Sequence, residues 1–209
     1  MKHFSKTELQ ALTRFYRANI VNCITGPKPA MLCGTKSKEG TSNLALFSNV
    51  FHMGADPAII GYVQRPVGES GHTYQNIIDT KSYTLNLANP AILVNSHYTS
   101  ARFAAGVSEF TECRLQEKYV EGFAAPFVEE AAVQIGLNFL EAIPVQHNNT
   151  TIVLGTIEHI FIADNLLQED GNIKLTKDTA LTAVGLEQYY AIDYLQHLPY
   201  AKVNELPKF

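Results

Sequence analysis

A chain of 209 residues with 46% hydrophobic and 17% charged side chains is long enough to bury one sizeable core, and its composition is neither disordered nor collagen-like. The net charge is −4 and the lysines and arginines are scattered, so nothing attracts a polyphosphate backbone and nucleic acid is not expected as a partner. Cys23, Cys33 and Cys113 are widely spaced and contain no Cys-x-x-Cys, which argues against a disulfide framework or a zinc site and predicts three reduced thiols.

The first ten residues are polar and charged where a secretory signal would be apolar, and no apolar run reaches the length of a membrane span; a soluble cytoplasmic protein is the expectation. Ser5-Lys6-Thr7-Glu8 has the form of a capping box. Leu9, Leu12, Phe15 and Tyr16 follow at helical spacing, so the chain should open with an amphipathic helix that ends before Pro27. Ala30 to Thr35, a polar turn from Lys36 to Gly40, and Thr41 to Phe47 read as a β-hairpin. Ala58 to Val63 is an apolar, β-branched run between prolines, as a buried strand requires. Thr73 is placed to cap a short helix through Lys81, and Ser82 to Ala88 alternates as a half-buried strand. A helix near Ala91 to Tyr98 leads into an aperiodic stretch that reaches Pro126. Val133 to Leu140 and Thr151 to Ala163 predict two further strands, and Tyr189 and Tyr190 sit at helical positions that suit a core or subunit contact.

Strands outnumber helices. One domain over residues 1–209 is expected, mainly β or α+β, with an antiparallel barrel or sandwich favoured over a doubly wound sheet. No Gly-x-Gly-x-x-Gly joins a strand to a helix and no Walker A sequence is present, so a nucleotide would have to be held by other means.

Two segments concentrate groups able to do chemistry. Gly40 to Asn49 gathers small and amide side chains where the chain leaves a strand. Such a loop either faces the polar edge of a flat heteroaromatic ring, with Leu and Phe covering its faces, or is a turn with polar caps. Arg65 to Thr73 is a Gly-containing loop with a cation, a histidine and a hydroxyl ahead of a helix. This is an anion site in outline, or else an ordinary capped helix after a surface loop. The histidines show no ligand spacing, so no metal is expected; His52, His147 and His159 read as surface or strand residues. There is no Gly-x-Ser-x-Gly elbow and Cys33 lies in an apolar strand, so no nucleophilic catalytic residue is assigned.

Taken in order, these pieces resemble the flavin-reductase-like FMN-binding split-barrel family, the flavoredoxin group, over most of the chain. The resemblance is carried by Gly34-Thr35, by Gly40-x-x-Asn43-Leu44-Ala45-x-Phe47-Ser48, by Asp56-Pro57 and Arg65-Pro66, and by His72-Thr73-Tyr74-x-Asn76-Ile77. Thr84-x-Asn86, Val107-Ser108-Glu109-Phe110 and Leu198-Pro199-Tyr200-Ala201-Lys202 complete it. It implies a split antiparallel β-barrel with N- and C-terminal helical elaborations and a homodimer. It also implies an FMN site in which Asn43, Leu44, Ala45, Phe47, Ser48 and Asn49 contact the ring and ribityl chain while Arg65, His72 and Thr73 hold the phosphate. Leu46 and Val203 stand where many relatives have proline, and His72 where the phosphate-side lysine is usual. His97 to Arg102 also resembles a family segment, but no role is assigned to it. The activity implied is that of an oxidoreductase passing electrons from a reduced nicotinamide through FMN to a further acceptor; the rival is a protein that carries or senses FMN without turnover.

Overall fold

In the computed structural model of the chain, residues 1–66 and 71–207 are described. The capping box forms: the Glu8 N–H donates to Ser5 Oγ at 3.3 Å and the Ser5 N–H to Glu8 Oε2 at 2.7 Å, opening α1 (Lys6–Ala11). The helix does not run on to Pro27 as its periodicity suggested. Leu12 turns extended, α2 (Arg14–Cys23) starts after Thr13, and Arg17 donates across the break to the carbonyls of Gln10 and Leu12. Leu9, Leu12, Phe15 and Tyr16 keep their spacing through the interruption, and for that reason spacing alone could not reveal it.

The strands begin with β1 (Lys28–Pro29), β2 (Met31–Lys36), β3 (Ser42–Phe47), β4 (Val50–Ala55) and β5 (Ala58–Gln64). Next come α3 (His72–Thr80), β6 (Ser82–Leu87), a 3-10 turn at Pro90–Ile92, α4 (Leu93–Tyr98) and α5 (Glu109–Glu112). β7 (Glu117–Val120) and β8 (Phe123–Val128) pair with each other, β9 (Val133–Val145) and β10 (Thr150–Ile162) form a long ladder, and β11 (Leu181–Val184) with β12 (Gln188–Ala191) closes the set.

Seven strands make one antiparallel sheet in the order β3-β2-β6-β9-β10-β5-β4. Its two edge strands are consecutive in the chain, joined only by Ser48 and Asn49. A flat sheet would hold those edges about 29 Å apart, six steps of about 4.8 Å, whereas the link from Phe47 to Val50 spans at most about 11 Å. The sheet therefore curls until its edges meet. Because β3 and β4 are not hydrogen-bonded neighbours, the result is a barrel split along one seam. Met31, Cys33, Tyr62, Tyr83, Leu85, Leu137 and Val153 fill its interior.

β6 is buried along its whole length, not half-buried as its alternation suggested. Its apolar face lines the barrel, and its polar face is covered by β8. There Thr84 Oγ1 donates to the Pro126 carbonyl at 2.6 Å, Asn86 Nδ2 donates to the Leu32 carbonyl at 3.0 Å, and the Val128 N–H donates to Asn86 Oδ1 at 3.1 Å. These bonds satisfy side chains that would otherwise be buried at a cost of about 1–3 kcal/mol each. A second core, which includes Leu32, Leu44, Phe110, Val128 and Leu181, lies outside the barrel.

The C-terminal elaboration is strand rather than helix up to Ala191. Gly185, at φ +70°, makes the turn of a hairpin, so that Tyr189 pairs with Ala183 and Tyr190 with Thr182; the only helical turn among the described residues beyond it is Val203–Glu205. β11 joins β1 in a small sheet that is tied to the barrel when the Leu181 N–H donates to the Ala88 carbonyl at 2.9 Å. All three cysteines are free thiols; Cys33 and Cys113 are buried, and burial pushes both thiol pKa values up. No described helix is long and apolar enough to cross a membrane.

Gly34 shows how tightly β8 is laid on the sheet. A Cβ there would overlap the Pro126 carbonyl and Thr84 Oγ1, the two atoms that hydrogen-bond to each other. Gly34→Ala is expected to destabilise the protein by about 1–3 kcal/mol, the usual cost of overpacking, seen as a lower urea midpoint with an unchanged m-value.

Candidate functional site

Asn43, Ala45 and Phe47 alternate along β3, so all three present the same face. With Gln64, the start of α3 and the segment 99–103 they line a cleft of about 270 Å³. Gly71 is the N-cap of α3, which places His72 and Thr73 inside its first turn; Thr73 is not the cap that the sequence suggested. Its hydroxyl is used differently. Asn43 Nδ2 donates to Thr73 Oγ1 at 2.9 Å, a buried bond that fixes the helix start against β3, and Thr73 keeps its own hydroxyl hydrogen to offer to the cleft.

Two neighbouring clefts continue this one. One of about 420 Å³ shares Asn43 and His72 with it and is also lined by Ala105, Gly106 and Val107. The other, of about 440 Å³, shares Leu46, Ser100 and Ala101 and is walled by α4 and the β11–β12 turn. Single cofactor pockets usually measure about 300–1,000 Å³, so a ligand of that size would occupy the first cleft together with a neighbour.

The residues singled out from sequence divide among these places. Asn43, Ala45, Phe47, His72 and Thr73 come together in the first cleft. Ser48, Asn49 and Arg65 line a fourth space of about 260 Å³ at the β3–β4 link, where Arg65 donates to Asn22 Oδ1 at 3.4 Å, and Ser48 also lines the 440 Å³ cleft. Leu44 lines none of them; its side chain is fully buried in the outer core. The anion-loop residues Val67 to Ser70 lie outside the described residues.

Four contributors were not assigned a role from sequence. Ser100, Arg102 and Phe103 come from the aperiodic stretch and face β3 across the first cleft, and Arg102 is the arginine that shares this cleft with His72. Gln64, at the end of β5, buries an Oε1 that has no hydrogen-bond partner among the described residues. Periodicity marks none of these positions; Ser100 and Arg102 fall in the segment 97–102 that resembles the family, a resemblance that assigned them no role.

Glu109 closes the floor of the cleft. It is buried, and Glu109 Oε2 accepts the Leu44 N–H at 2.9 Å. Burial raises its carboxyl pKa above the ordinary 4.5, opposed by the Leu44 bond and by the charge of His72. The folded state thus holds this proton more tightly than the unfolded chain. The stability it contributes is complete below the ordinary value and is lost as pH rises through the raised one. Glu109→Gln, which can still accept from Leu44, should therefore gain stability relative to the parent as pH is raised from 4 to 8. Urea titrations across that range measure the difference, and a constant gap between the two proteins would contradict the assignment.

Comparison with known proteins agrees with this architecture. Residues 25–179 match the flavin reductase like domain model. A Shewanella frigidimarina NCIMB 400 structure, described as a flavin reductase with a split barrel domain, is 38% identical with a TM-score of 0.92, covering 96% of this chain and all of that one. Nitrilotriacetate monooxygenase component B from Bacillus cereus shares the fold at 20% identity and a TM-score of 0.81, covering 95% of this chain and 98% of its own. The FMN-binding protein from Thermus thermophilus, solved with 1-cyclohex-2-enone, shares the fold at 16% identity and a TM-score of 0.74, covering 95% of this chain and 100% of its own.

Proposed function

This chain belongs to the flavin reductase like domain family, whose chemistry is flavin-related oxidoreduction, and from that premise we propose that it binds FMN in the clefts over β3 and oxidises a reduced nicotinamide. The observation that carries the reading is the Asn43–Thr73 pair. It locks the first turn of a nine-residue helix beside an apolar slot, so that backbone N–H groups, a hydroxyl, His72 and Arg102 converge where a phosphate would be attracted. Ala45, Leu46 and Phe47 supply apolar surface for a ring. Gln64 Oε1, which has no hydrogen-bond partner among the described residues, is an acceptor suited to the imide N–H of a flavin, which is the structural reason the residues fit this group.

FMN, once bound, supplies the hydride chemistry. The protein's part is to orient the ring along β3, hold the phosphate at α3 and exclude water from the slot. No side chain has to act as nucleophile. Ser48 and Asn49, which form the β3–β4 link, border with Arg65 a further cleft that shares Ser48 and Gly185 with the one walled by α4. The T. thermophilus protein of the same fold binds FMN, which supports FMN as the flavin here.

Thr73→Ala and Arg102→Ala should each weaken FMN about tenfold or more and riboflavin much less, because a hydrogen bond to a charged group contributes about 1.5–3 kcal/mol. Fluorescence titration with both flavins decides; equal losses would move the phosphate elsewhere. Steady-state oxidation of NADH or NADPH by the FMN-loaded protein separates an enzyme from a carrier, and a loaded protein without turnover would favour the carrier.

The exposed apolar side chains of the tail, Tyr194, Leu195, Leu198, Tyr200, Val203 and Leu206, together with Leu140, Ile143 and Ile160 on the long strands, support a homodimer. Truncation after Ala191 should lower the sedimenting mass or the melting temperature. A parent chain that sediments as a monomer would contradict the dimer.

A further inference from the structure

His97 and Tyr189 are not used by the FMN reading. They come from different elements, α4 and β12, and meet with His97 Nδ1 and Tyr189 Oη 2.8 Å apart. The imidazole is held edge-on between two phenol rings, 5.4 Å from Tyr98 and 5.7 Å from Tyr189. The pair stands in the wall of the 440 Å³ cleft, which shares Leu46, Ser100 and Ala101 with the proposed flavin cleft.

We propose that this cleft is a second-substrate pocket for a small, planar, conjugated carbonyl compound whose oxygen is bonded by Tyr189 Oη, with His97 behind it as proton reservoir. The assignment rests on FMN occupying the adjoining cleft. Leu46, Ala101, Ala183 and Leu186 give the pocket apolar walls, and its polar groups lie with the His–Tyr pair, Ser48 and Ser100. Among the described residues it holds Glu187 and no lysine or arginine, so the diphosphate of a dinucleotide finds no counter-charge among them, whereas a neutral carbonyl needs none. Partial burial and the neighbouring Glu187 raise the Tyr189 pKa, which keeps the phenol protonated and able to donate at neutral pH.

Reduced FMN, when bound, would supply the hydride by giving up an N–H bond as the C–H bond forms at the β-carbon of an enone. Tyr189 would donate its proton to the carbonyl oxygen, so that the enol leaves, and His97, hydrogen-bonded to Tyr189 Oη, would pass a replacement proton drawn from water.

The test uses p-hydroxybenzaldehyde as probe. Its binding is followed by isothermal titration to the FMN-loaded parent, Tyr189→Phe and His97→Gln, together with the ring resonances of tyrosine-labelled protein. Tyr189→Phe should weaken the probe about three- to tenfold, the range for one hydrogen bond, with FMN affinity and melting temperature kept; His97→Gln should weaken it less, and the Tyr189 resonance should move on binding. Equal probe affinity in the parent and Tyr189→Phe overturns the assignment. So does an FMN-loaded parent that ignores the probe, or a Tyr189→Phe protein that loses FMN and stability together. If the parent fails to bind FMN at all, the proposed function falls on its own, and the resonance shift in the flavin-free protein still reports whether the pocket takes the probe.

Discussion

Two residues, Ser48 and Asn49, impose the shape of this molecule. They are all the chain between the first and last strands of a seven-stranded sheet, and the sheet has no choice but to roll until those strands meet. The seam left open at the meeting point runs along β3, whose Asn43, Ala45 and Phe47 lie on the face that the paired strand β2 turns to the barrel interior through Met31 and Cys33. The functional groups gather along it because β3, as an edge strand, keeps one side unpaired. A flat sheet of the same strands would bury the same kinds of residues and have no such groove.

Around that seam the site is assembled by clamps, not by a single motif. Asn43 pins α3, Glu109 takes the Leu44 N–H from the other side, and the small β1-β11-β12 sheet is tied through Leu181 to the backbone beside β6. Each clamp joins residues far apart in sequence, so the groove is rigid only in the complete fold. The start of α3 lies at one end of this band of clefts and the β11–β12 hairpin at the other.

Much of this was legible in the sequence where local rules act alone. The Ser5–Glu8 box, the 31–47 hairpin and the β-branched runs of β5 and β10 each follow from spacing within one element. The reading failed where a distant element decided. Ser82 to Leu87 alternates like a half-exposed strand, yet β8 lies over its polar face and buries all of it. Tyr189 and Tyr190 suit a helix face as well as a strand, and Gly185, which makes the hairpin turn, carries no periodic signal. Among the candidate residues, Asn43, Ala45 and Phe47 share a face because β-strand alternation requires it, and the same alternation turns Leu44 into the core. The segment 99–103 is irregular chain whose place is set by the elements on either side, so its resemblance to a family segment at 97–102 could not say which of its side chains reach the cleft.

The burial of Cys33 bears on the chemical durability of a flavoprotein. Electrons carried by a reduced flavin can pass to oxygen, and the peroxide so formed attacks thiolates, the reactive form of cysteine. Cys33 sits between Leu32 and Gly34 on the strand next to β3, inside the barrel, with its thiol held protonated by the apolar interior. Cys113 is buried at the end of α5. Neither the barrel nor its cover presents a nucleophilic sulfur to the oxidants its own chemistry would generate, and oxidative wear falls first on half-buried Cys23, at the end of α2.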